Sequence, residues 1–98
     1  MLKVLKVTGA SLSPVFREGD FVIVAKIPFF INKINPGDIV VFNHHAHGIM
    51  IKKVERVVPE KDEVYVIGTR EDSVDSRRFG PISQKAVIGK VIWHIKKP

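Results

Sequence analysis

No cysteine occurs in the 98 residues, which excludes disulfides, thiolate metal sites and cysteine nucleophiles. Long apolar runs are missing too. The longest, residues 21–25 and 39–42, are four or five residues, where a helix crossing a bilayer needs ~20. Residues 1–6 alternate apolar and basic side chains and lack the apolar block of an export signal. Aromatic residues number only eight, too few and too dispersed for a base-stacking platform. The net charge of +6 and pI near 9.8 invite a nucleic-acid or anionic-membrane partner. The cations are scattered, however, and Lys52-Lys53, Arg77-Arg78 and Lys96-Lys97 are pairs rather than a run. Nucleic acid is therefore not expected as a partner.

Leucine is scarce, with three residues, and alanine with four, against 15 valines and 12 isoleucines. β-Branched side chains lose rotamer freedom in a helix and pack well on a pleated surface. Period-2 segments at 2–8, 21–27, 39–42, 49–58, 64–68 and 86–95 alternate with turn signals, as strands separated by loops do. Asn35-Pro36-Gly37-Asp38 reads as a turn, residues 43–48 as a hairpin tip, and 59–62 as another. The stretch 69–80 has no apolar period and reads as loop with one short turn. No window carries a 3.6-residue stripe. The expectation is an all-β, mostly antiparallel fold with little or no helix, formed by residues 1–98 as one domain.

Three constellations are candidates for chemistry. Gly9-Ala10-Ser11-Leu12-Ser13-Pro14, followed by Gly19-Asp20, presents a serine in a loop bounded by glycine and proline. Ile51-Lys52-Lys53-Val54 places two lysines in a β-branched strand. An inward-facing lysine there would be desolvated, which lowers its pKa and can make it a general base. Asp72-Ser73-Val74-Asp75-Ser76-Arg77-Arg78-Phe79-Gly80-Pro81 is dense in short hydrogen-bonding groups and opposite charges. Each has a plainer reading as an exposed loop serine, a solvent-facing lysine or a capped polar loop.

In this order, with Pro36-Gly37-Asp38-Ile39-Val40-Val41-Phe42 and Ile88-Gly89-Lys90-Val91 between and after them, the segments resemble the signal peptidase I family. The resemblance runs from about Val7 to Trp93, and Ser73-Val74-Asp75-Ser76-Arg77 is its most specific part. It implies a compact β fold of two small sheets and a serine endopeptidase with a Ser–Lys dyad, cutting after small residues. Ser11 takes the place of the nucleophile and Lys52 that of the general base. Ser73 would orient the lysine amine, and Asp75 and Arg77 would form a salt bridge holding the loop. Gly9 sits where some members have a serine assisting the oxyanion hole. The substrate would be a peptide or preprotein, and no cofactor is implied. Family members normally carry an N-terminal membrane anchor. Here the motif begins within ten residues of Met1, so the expectation is either a removed anchor or a soluble member resembling the small proteases that mature nickel superoxide dismutase. Localisation stays open between membrane-associated and cytoplasmic.

A lysine near pKa ~10.4 cannot deprotonate serine at neutral pH; it must fall to about 7–8. Three units correspond to roughly 4 kcal/mol of differential solvation, within reach of burial on an apolar face. By alternation Lys52 shares its face with Met50 and Val54, and Lys53 with Ile51, Glu55 and Val57. Lys52 is the expected base, with Lys53 the alternative. A register slide would put Glu55 in the lysine's place and break the dyad. His44, His45 and His47 crowd one tip; an exposed polar turn is expected there rather than a metal site. Phe29 and Phe30 follow a proline break and offer a membrane-surface contact. Two other functions share these features: an inactive peptide-binding module with the same fold, and a repressor-type self-cleavage domain.

Overall fold

A computed structural model describes residues 2–7, 19–26, 34–68 and 74–96. The β-branched segments form six strands: β1 Leu2–Lys6, β2 Phe21–Lys26, β3 Ile39–His44, β4 Gly48–Val58, β5 Glu63–Ile67 and β6 Val87–Ile95. Each falls within two residues of its expected bounds. Their order across the sheet is β1-β2-β6-β3-β4-β5, with every neighbour antiparallel. The all-β antiparallel expectation holds. The two small sheets expected from the resemblance are joined into one, because β6 hydrogen-bonds to both β2 and β3. What is doubled is the core.

Period-2 alternation sends successive β3 residues to opposite faces. Val40 and Phe42 enter a cluster with Ile34, Val54, Val64, Val66, Ile82 and Val87. Val41 enters a second, with Val7, Val22 and Val24. Both faces of β3 are thus buried, which is why residues 39–42 read as a continuous apolar run. Burying each such side chain contributes about 1.5–3 kcal/mol.

Short local devices set the register. Asn35-Pro36-Gly37-Asp38 closes with the Asp38 N–H donating to the Asn35 carbonyl at 3.1 Å, and Gly37 has φ +94°. Proline then glycine at the central positions is the chemistry of a type II turn. This turn is tied to β4 by Gly37 N–H to Val54 O at 2.8 Å and Val54 N–H to Asp38 O at 2.7 Å. Gly89 marks a close approach of β6 to β2. A Cβ there would stand 2.5 Å from Val24 Cγ1 and 2.6 Å from the Ala25 carbonyl oxygen.

The face of Val40 and Phe42 can be followed through the register Lys52–Val40–Lys90–Ala25. On the β1-β2-β6 half, the same face presents Leu2, Val4, Phe21, Trp93 and Ile95, all exposed. No helix among the described residues is long and apolar enough to cross a membrane.

Candidate active site

Lys52 lies in the middle of β4, opposite Val40 on β3. Its side chain therefore joins the face of Met50, Val54 and Phe42, and the residue is only 3% exposed. Lys53 and Glu55 on the same strand are exposed. The strand's phase then changes. The β4–β5 register shifts between Val54 and Arg56, leaving Glu55 as the extra residue of a bulge. Val57 consequently packs against the same cluster as Val54, rather than sharing a face with Lys53 as uninterrupted alternation implied.

Burial lowers the Lys52 pKa below the ordinary lysine value; nearby Asp75 opposes that shift and Arg77 adds to it. Among the described residues no carboxylate forms a salt bridge with Lys52. The residue opens onto a groove of about 420 Å³, lined also by Leu5 and Lys6 of β1, by His47, Ile49, Met50 and Ile51, and by Val74. β5 pairs with β4 only from Lys53 onward, so residues 48–52 have no strand partner on that side among the described residues.

Asp75 is fully buried and caps the short helix α1, Ser76–Phe79. Its carboxylate accepts the Gly68 N–H at 2.8 Å, the Arg77 N–H at 3.0 Å, and the Arg77 guanidinium at 2.8–3.2 Å. Burial pushes its pKa up, but the Arg77 side chain and the two backbone N–H groups outweigh it and hold it below the usual carboxylate value. The Ser76 hydroxyl accepts the Val66 N–H at 2.8 Å. The segment is thereby clamped to β5, and β5 to β4. The 75–77 sequence is a scaffold that brings a carboxylate and a guanidinium into Lys52's field.

Ser11, Gly9 and Ser73 lie outside the described residues, as do Phe29 and Phe30. The described part of the expected site consists of Lys52, Asp75 and Arg77, which interact electrostatically.

Two features escaped the sequence reading. His44 is buried instead of lying in an exposed turn. Its Nδ1 accepts the N–H groups of Ala46 and His47 at 3.0 and 3.3 Å, and its ring lies 4.4 Å from those of His45 and Phe79. Burial, then the neighbouring His45 and His47, lowers its pKa. The described residues hold no group of three or more metal-ligating side chains in binding geometry. The second feature is Asp20, which is buried and 2.7 Å from His94 Nε2. The only sequence signal for it was the Gly19-Asp20 turn.

Comparison with known proteins gives the family. Residues 1–92 match the model of the Peptidase S24-like family. Signal peptidase I V of Bacillus subtilis (strain 168) is 26% identical, with 88% of this chain and 81% of that protein aligned. Signal peptidase I of Bacillus caldolyticus is 30% identical over 87% of this chain and 48% of that protein, so the chain spans about half that relative's length. With an antiparallel β-sheet fold, a family model covering nearly the whole chain and signal peptidases among its relatives, the protein belongs to the Peptidase S24-like family.

Proposed function

We propose that residues 1–98 act as one catalytic unit, a serine endopeptidase in which Ser11 is the nucleophile and Lys52 the general base. The observation that carries this reading is Lys52 itself, a lysine buried on an apolar strand face at a groove, with its pKa lowered by desolvation. Desolvation favours the neutral amine, and a general base must be neutral when it acts.

The neutral amine would take the Ser11 proton as the hydroxyl oxygen attacks a peptide carbonyl. The resulting ammonium would then protonate the leaving amine, giving an acyl-enzyme that water hydrolyses. The Ser11 backbone N–H would donate to the oxyanion. Ser73 would orient the amine. Asp75 and Arg77 would keep that loop in place, and Gly9 would stand at the position where other members have a serine that assists the oxyanion hole. The substrate, a signal peptide or pro-segment with small residues next to the cut, would lie extended along the open side of β4 at residues 48–52. The exposed apolar face of Leu2, Val4, Phe21 and Trp93 supports a membrane-surface contact, to which Phe29 and Phe30 would add.

The test is cleavage of peptides with small residues around the scissile bond, followed as a function of pH. The rate should rise toward alkaline pH as Lys52 loses its proton. Ser11→Ala and Lys52→Ala should each lose as much as the double variant, since a dyad acts as a unit. Cleavage by Lys52→Ala at the parent rate would refute the assignment. Binding without cleavage by the parent would make it a peptide-binding module.

A further inference from the structure

The groove beside Lys52 has an uneven chemical lining. Leu5, Ile49, Met50, Ile51 and Val74 are apolar, while Lys6 and His47 add a cation and a hydrogen-bonding ring. Among the described residues no aspartate or glutamate lines it. Lys6 and His47 are exposed, and among the described residues neither takes part in a salt bridge. His47 is also held in place: its N–H donates to His44 Nδ1, and its ring lies 4.8 Å from that of His44 and 5.9 Å from that of Phe79. A ring-packed imidazole and a lysine sharing one groove, with no acidic group among its described lining residues, make a receptor for a carboxylate.

From these positions we propose that Lys6 and His47 are specificity-determining residues that select peptides carrying an acidic side chain. The inference rests on the peptidase reading for its register. His47 and Lys52 are five residues apart along the hairpin. An extended peptide on β4 rises about 3.3 Å per residue. The preferred aspartate or glutamate therefore stands roughly four to five residues from the bond cleaved beside Lys52. Apolar or small residues fill the stretch between, against Met50, Ile51 and Val74.

The experiment separates this selection from catalysis. Fluorescent peptides of one apolar parent sequence, each with a single Glu or Gln moved along its length, are titrated against the Ser11→Ala protein. The Glu peptide with the carboxylate at the far position should bind about three- to fivefold tighter than its Gln partner at low salt, the scale of an exposed ion pair. The advantage should shrink as salt rises. Lys6→Ala should lessen it, Lys6→Glu should invert it toward a Lys-bearing peptide, and His47→Gln should weaken it with the melting temperature held. Equal binding of Glu and Gln peptides at every position would overturn the proposal. So would a preference that survives Lys6→Ala and His47→Gln together. If the Glu preference is present but the parent cleaves none of the peptides, the peptidase reading fails and the subsite stands. If the parent cleaves Glu and Gln peptides alike, the reverse holds.

Discussion

Lys52 and Asp75 are both buried and lie in each other's electrostatic field, yet the fold treats their charges in opposite ways. Asp75 accepts hydrogen bonds from two backbone N–H groups and from the Arg77 guanidinium, and its pKa is held down. Lys52 has apolar neighbours on its strand face, and its pKa is also lowered, which for an amine means that the neutral form is favoured. At Asp75 hydrogen bonds overcome burial and stabilise an ion; at Lys52 burial prevails and discourages one. Among the described residues, charge partners gather on Asp75, while Lys52 has no salt bridge. This contrast is what the proposed role of Lys52 as a base requires.

The sharpest way to break the contrast is to remove the amine. Lys52→Ala is expected to reduce kcat by about a hundredfold to ten-thousandfold, the usual contribution of a general base. Lys52→Met should be as inactive, yet at least as stable as the parent at neutral pH, because burying a charged amine opposes folding. The linkage sign follows. A lysine whose folded pKa lies below its unfolded value makes folding more favourable as pH climbs toward the unfolded value of ~10.4. Denaturant titrations of parent and Lys52→Met at increasing pH should show the parent gaining relative to the variant. A parallel pair of curves would mean that Lys52 keeps its charge in the folded protein.

Asp75→Ala should act on stability first. It leaves the Gly68 N–H and the Arg77 guanidinium without their acceptor. Removing one partner of a buried pair costs about 3–5 kcal/mol. Arg77 is 47% exposed, so solvent screening places the expected loss near the lower end, about 3 kcal/mol. Because the folded pKa of Asp75 is depressed, its contribution is fully present above the unfolded value of ~3.9 and fades as pH falls through the folded value. Urea midpoints compared at neutral and acid pH test both statements. A variant as stable as the parent would reduce the 75–77 segment to a solvated loop.

His44 is a third buried ionisable group and gives the smallest effect. Its Nδ1 accepts two N–H groups of the hairpin tip, a role that the unprotonated nitrogen fills. Its lowered pKa makes its contribution present above the unfolded value of ~6.5 and lost as pH falls below it. The difference in thermal midpoint between parent and His44→Phe should therefore change between neutral and mildly acid pH, well above the window of Asp75. A constant difference would show that the ring's packing against Phe79 matters and its proton does not.

Much of this molecule was legible in its sequence because strand formation here is a local matter. Valine and isoleucine at alternate positions specify an extended chain and its buried side, and proline, glycine and aspartate mark the turns. The turn at 35–38 and the six strand segments follow from those preferences alone. The choice of Lys52 over Lys53 as the buried residue also follows, since Met50 and Val54 flank it two residues on each side. The Val57 side was misjudged because a bulge at Glu55 reverses the phase, and nothing in local composition announces one.

By itself, then, the sequence determined the strands, the turns, the side of β4 on which a lysine is buried, and the motif series shared with signal peptidases. Tertiary structure alone decided that β6 runs between β2 and β3, so that one sheet carries a core on each face. It decided which N–H groups Asp75 accepts, that His44 folds inward onto Phe79, and that Asp20 meets His94 across 74 residues of chain. The physical reason is range. Alternation and turn chemistry act over a few residues, whereas desolvation and ion pairing depend on which distant segments arrive, and a one-dimensional pattern does not carry that.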